Sequence, residues 1–258
     1  MIPKFKIRSS ATGSIMGGNI ALPEPQKKIL VGFQEKMQAG KELTKVQAAK
    51  NDELVELENN PKATKGMMTY CQDWLKEQLY GRRKEIKSKY LDKGNEVEDA
   101  SIEFLNSQLL TDYVKNEAYF ENEFMDGTPD IDADIIIDMK NSYDFSTFPL
   151  FADHIENMDY YYQLQSYMEL CDKDEAMLVY CLMDSPDHLI EGEAKSKAYK
   201  LGGHWEDYYT ECHKFYTYAD IGPELRIKKF EVKRNRSVIK EIKERVAMCQ
   251  VYINELMK

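Results

Sequence analysis

The chain has 258 residues, 43% of them hydrophobic, which is enough to bury a substantial core and fits one domain spanning 1–258. Its formal net charge of −10 argues against a protein that coats nucleic acid non-specifically, since such binding rests on Lys and Arg neutralising phosphates, but it leaves room for a local basic groove. No run of about eighteen uncharged apolar residues and no long apolar N-terminal stretch occurs, so the sequence predicts a cytoplasmic protein without membrane association.

Residues 1–24 combine a short basic extended piece, KFKIRSS, with a Gly/Ser-rich turn, after which Pro23 and Pro25 are expected to interrupt regular structure. From about Glu42 to Asn59 the spacing predicts a polar helix or helical arm, near 42–62, that the Asn60–Pro61 step stops. Thr64 to Tyr80 places Met67, Cys71, Trp74 and Leu75 on one helical face, and Val97, Ile102, Leu105 and Leu109 mark the next helix. NEAYFENEF and DIIIDMK read as strands, followed by a helix over His154–Cys171 and the strand AMLVYCLM. A strand near Leu225–Val232 and an amphipathic helix over Ser237–Leu256 form a C-terminal extension. The order predicts an α/β fold with helices packed on a mixed central sheet.

Five scattered cysteines (Cys71, Cys171, Cys181, Cys212 and Cys249) show neither CxxC nor zinc-ligand spacing and read as reduced core thiols. The four histidines do not recur at ligand spacing, and no glycine-rich phosphate loop is present. Two basic runs, GRRKEIKSKYLDKG from Gly81 and the segment Leu225–Arg245, are either solvated faces or the lining of a phosphate track.

The chemistry concentrates in GTPDIDADIIIDMKNS, Gly127 to Ser142, where a turn delivers Asp130 and an apolar strand delivers Asp138 and Lys140. On a strand, residues two apart share a side, so Asp138 and Lys140 emerge together while Met139 faces away. Such charges at the end of an apolar strand require partners or a metal. Taken alone, a DxK pair is an ordinary ion pair; the preceding GTPD and the flanking helical motifs shift the reading toward a site.

Pro129–Asp130 followed by Asp138–Lys140 resembles the motif of the PD-(D/E)XK nuclease superfamily. KGNEVEDASIEFL, with Glu98 four residues after Gly94, resembles the GxxxE element of lambda-type and RecB-like exonucleases, and Gln163–Tyr167 resembles their QhXXY element. The resemblance implies a restriction-endonuclease-like core. It also implies Mg²⁺, with Mn²⁺ able to substitute, held by Glu98, Asp130, Asp138 and the Met139 carbonyl. Lys140 would then orient or help deprotonate the attacking water, and Gln163 would assist. Glu96 and Asp99 satisfy the helix N-terminus equally well, and only the combined motifs select Glu98. The opening segment IRSSATGS resembles a 5′-phosphate-binding segment of lambda-type enzymes, with Ser10 as its matching residue and Thr128 in the place of a second hydroxyl for the same phosphate, whereas the family's upstream arginine has no counterpart; Tyr167 of the QhXXY-like element is a further DNA-binding candidate.

The implied activity is Mg²⁺-dependent exonucleolytic hydrolysis of linear double-stranded DNA, 5′ to 3′, in phage-type recombination or repair within a bacterial host cell. A single-strand annealing recombinase as partner, and a trimeric homo-oligomer, are implied in the same way. Two readings stand beside it: a RecB-like nuclease acting on single-stranded or structured ends, and a non-catalytic DNA-binding or assembly module. The scattered cysteines do not reproduce the iron–sulfur ligand set of many RecB-like enzymes, and a non-catalytic member would be expected to have lost a ligand or the lysine.

Overall fold

The computed structural model describes the chain except for Met1, Asn19, Ala21, Pro23, Asn60, Pro61, Ile86 and the side chain of Glu24. The expected breaks at Pro23 and at Asn60–Pro61 therefore lie outside the described residues. In chain order the elements are β1 (Ile7–Arg8), α1 (Thr12–Met16), α2 (Glu24–Gln38), α3 (Lys45–Asn59), α4 (Lys65–Tyr80), α5 (Lys89–Glu96) and α6 (Glu98–Leu109). They continue with β2 (Phe120–Glu121), β3 (Met125–Gly127), β4 (Ile131–Asp132), β5 (Ile136–Asn141), α7 (Met158–Leu170), β6 (Glu175–Cys181), α8 (Asp187–Leu201), α9 (Glu206–Tyr216), β7 (Ile227–Lys233) and α10 (Arg236–Leu256).

The fold is mixed α/β with helices packed on a mixed sheet, as expected, and a second, small sheet accompanies it. One is four-stranded in the order β4-β5-β6-β7, with β5 and β6 parallel and both flanking pairs antiparallel. The other is a small mixed sheet in the order β1-β3-β2. NEAYFENEF supplies only the two residues of β2, because Asn122 turns the chain before β3, its side-chain oxygen accepting from the Phe124 and Met125 amides.

Alternation along the four-stranded sheet builds a layer on each side. Ile137 and Met139 of β5, with Met177, Val179 and Cys181 of β6, pack against Ile102 and Leu105 of α6. Ile136, Ala176, Leu178, Phe230 and Val232 face the opposite way, against Leu164, Tyr167 and Met168 of α7. Asp138 belongs to this second face, so α7 covers it. A separate core joins β1, α1, α4 and α10 through Phe5, Ile7, Ile15, Trp74, Ile242, Val246 and Ile253. Arg245 of α10 is sunk into it, donating to the carbonyls of Ile15, Gly17 and Gly18.

Several expectations are corrected. Pro25 does not break the chain: it stands in the first turn of α2, where a missing N–H removes no intrahelical bond. The expected arm is the second half of a helical hairpin, α2 and α3 closing on Leu22, Leu30 and Leu54. The Gly/Ser-rich turn after β1 contains helix α1. The helix through Val97 is two helices, with Val97 (φ −101°, ψ 4°) standing between α5 and α6. The helix expected from His154 begins only at Met158, capped by Asn157, whose side chain accepts from the Asp159 amide. Helices α8 and α9 were not anticipated.

Candidate active site

Three elements meet at one end of the four-stranded sheet. Strand β5 carries Asp138 and Lys140 on its α7 side. Asp138 is almost wholly buried, at 1% exposure, which is tolerable for a carboxylate only with compensating partners. One oxygen, Oδ1, accepts from Gln163 Nε2 at 2.9 Å, and Oδ2 meets the Lys140 ammonium at 2.5 Å. Apart from that ammonium, Oδ2 has no partner among the described residues.

The turn before β4 supplies Asp130. Its Oδ2 accepts from the Met139 backbone N–H at 2.6 Å, fastening the PD turn to the catalytic-type strand nine residues away. Asn116 braces the same turn: its amide donates to the Asp130 carbonyl at 2.7 Å and its side chain to the Pro129 carbonyl at 3.0 Å. Burial, then the charge of Asp138, push the Asp130 carboxyl up to about 7, while Lys140 and the Met139 hydrogen bond act against them. Burial tends to lower the Lys140 pKa, but Asp138 and Asp130 outweigh it and raise it, so the side chain is an ammonium near neutral pH.

Glu98 opens α6. Lys115 holds it at 3.2 Å, and its charge also raises Asp130. Glu96 instead pairs with His188 at 3.2 Å and is drawn away. Thus Asp130, Asp138, Lys140 and Gln163 are joined by direct contacts, with Glu98 beside them through electrostatics. Among the described residues, no three His, Cys, Asp or Glu side chains already converge as a metal cluster. Even so, the residues suit a hard divalent cation: the Asp138 charge raises the Asp130 carboxyl beside it, and Asp138 Oδ2 has no partner but the Lys140 ammonium among the described residues. Asp130, Asp138, Glu98 and the Met139 carbonyl are the donors that would hold it.

Beside this cluster lies a cavity of about 610 Å³ lined by Arg8, Ser9, Ser10, Arg83, Thr128 and Tyr167, among others. Ser10 and Thr128 are exposed there, whereas Ser9 is buried and donates to the Asp126 carbonyl at 2.9 Å. Tyr167 is buried and its hydroxyl lies 3.3 Å from Gln163 Nε2, linking the cavity to Asp138. Gly127 is required by this closeness: a Cβ would stand 2.9 Å from Tyr167 Cε1 and 3.0 Å from Ser9 Oγ. Arg8 and Arg83 escaped the sequence reading of this place; Arg83 belongs to the first basic run, but only the fold brings the α4–α5 loop to β1. Part of the second basic run is structural, since Arg234 and Lys243 both pair with Glu169 and Arg245 is buried, while Lys229, Lys233, Arg236 and Lys240 are exposed.

No protein-family model and no curated protein sequence matches the chain. Solved structures do. A phage-related exonuclease from Haemophilus somnus 129PT superposes with a TM-score of 0.68 at 24% identity, over 99% of this chain and 96% of that one. An alkaline exonuclease from Laribacter hongkongensis, LHK-Exo, gives 0.55 at 11% identity over 97% and 88%. A second structure, LHK-Exo in complex with dAMP, gives 0.51 at 13% identity over 97% and 91%. The chain has the fold of these exonucleases over essentially its whole described length.

Proposed function

We propose, from a fold shared with phage-related and alkaline exonucleases, that this chain works as one nuclease unit hydrolysing phosphodiester bonds of linear double-stranded DNA from the 5′ end. The observation that carries the reading is the buried Asp138, bonded to Gln163 and paired with Lys140, beside a raised Asp130. A purely structural ion pair has no use for a second, mutually repelling carboxylate at the same place.

In this mechanism Mg²⁺, or Mn²⁺ in its place, supplies charge neutralisation at the phosphate and acidity to the attacking water. The chain's own residues do the positioning. The Met139 N–H and Asn116 fix the Asp130 turn, and Gln163 fixes the rotamer of Asp138. Lys140, protonated, donates to the water or to the phosphate oxygen that gains charge. The neighbouring cavity accepts the terminal 5′-phosphate, with Ser10 and Thr128 donating hydroxyls and the Arg8 and Arg83 guanidiniums supplying the charge that the missing upstream arginine would otherwise bring. A role in phage-type recombination, a single-strand annealing partner and a trimeric ring complete the proposal.

The test is Mg²⁺-dependent digestion of linear duplex DNA with 5′-phosphate, 5′-hydroxyl or blocked ends, with closed circular DNA and Lys140→Ala as controls. Loss of linear DNA alone, abolished by the substitution, is the expected result. Cleavage of circles would make the protein an endonuclease. DNA binding without cleavage under Mg²⁺ and Mn²⁺ would leave a binding module in its place.

A further inference from the structure

Helix α7 faces the site with a stripe at positions i, i+3 and i+7: Tyr160, Gln163 and Tyr167. Gln163 holds Asp138, and Tyr167 packs against Gly127 and Ser9. The first member of the stripe meets Lys140, whose ammonium lies 4.8 Å from the centre of the Tyr160 ring. We propose that Tyr160 is a positioning residue whose ring, together with the Asp138 carboxylate, holds the Lys140 ammonium in its working orientation.

Lys140 needs such a hold. Its side chain is 21% exposed and ends in a flexible stem, and its sole ion-pair partner among the described residues is Asp138. A point charge held from one side can swing about that contact. The Tyr160 ring adds a second hold, and the N–H donors not turned to Asp138 stay available to water or phosphate. The ring is itself anchored: Tyr160 meets Tyr180 edge-to-face at 6.2 Å, and Tyr180 meets Phe230 at 6.1 Å in the sheet core. Tyr180 is also the register partner of Lys140 across β5 and β6, so the ring series and the lysine share one backbone frame.

The kinetic consequence rests on the nuclease reading; the ring–ammonium contact does not. The experiment therefore has two arms. In the first, ¹H–¹³C NMR of lysine Cε methylenes in metal-free protein, with the Lys140 signal identified through Lys140→Arg, reads the ring current. The signal is expected upfield in wild type and Tyr160→Phe, and back in the ordinary lysine range in Tyr160→Leu. In the second, Tyr160→Leu lowers kcat for linear DNA on the order of ten-fold with KM little changed, whereas Tyr160→Phe stays within about two-fold of wild type. Tyr160→Met replaces the leucine variant if the latter melts early.

An unmoved Lys140 signal in Tyr160→Leu overturns the contact, and a wild-type kcat in that variant overturns its role. Equal damage in Tyr160→Phe and Tyr160→Leu would assign the effect to the hydroxyl and overturn the proposal too. If wild type cuts no DNA, the nuclease reading fails while the NMR arm still decides the contact.

Discussion

Asp130→Asn should make the protein more stable and less able to cut DNA. Asp130 is partly buried and its carboxyl is pushed from 3.8 to about 7, by burial first and by the Asp138 charge second. Between those values the folded protein keeps a proton that the unfolded chain has released, so stability falls as pH rises and the loss is complete above about 7. A shift of about three units at roughly 1.4 kcal/mol each is about 4 kcal/mol; partial exposure of the group halves this to about 2 kcal/mol. The amide removes the charge while its oxygen can still accept from the Met139 N–H. Urea unfolding in EDTA at about pH 8 should show the variant about 2 kcal/mol more stable than wild type, with the gain mostly gone by about pH 4.5. Mg²⁺ should stabilise wild type, leave the variant unmoved, and support cleavage only by wild type. A variant no more stable than wild type at the higher pH, or a gain that does not depend on pH, would refute the assignment of charge repulsion at this site.

Gln163→Leu leaves buried Asp138 Oδ1 without its donor and should cost about 2 kcal/mol in chemical denaturation, with cleavage falling together with it. Lys93 is fully buried, donates to the Tyr143 carbonyl at 2.8 Å, and is lowered by burial from 10.5 to about 8. Across that window the unfolded chain holds a proton that the folded protein has lost, so stability rises with pH. Relative to Lys93→Met, wild type should gain about 2 kcal/mol between about pH 7 and 9.5 in urea unfolding. Parallel pH profiles for the two proteins would show that Lys93 does not titrate in this way.

The core of the site was legible because its signals are local and periodic. Two-residue alternation put Asp138 and Lys140 on one side of β5 and Met139 on the other, and the burial of Met139 against α6 agrees. The four-residue step from Gln163 to Tyr167 put both on one face of α7. The same local logic failed where the pattern was weak: α8 buries Ile190, Ala194 and Ala198, and the two small alanines carry little hydrophobic signal. Pro25 read as a break because composition alone cannot tell a loop proline from one in a first helical turn.

What the sequence by itself determined was a set of candidate residues and the side of each element on which they stand, since backbone geometry ties side-chain direction to sequence spacing. Only the tertiary structure decided which of them meet. Glu98 is near enough for its charge to raise Asp130, while Glu96, two residues away, pairs with His188. One tyrosine of the run Tyr160–Tyr162 lies over Lys140, and Arg83 comes to a cavity floored by residues near the N-terminus. These pairings join residues far apart in the chain, and they are set by how helices and sheets pack around a shared core, which no local period records.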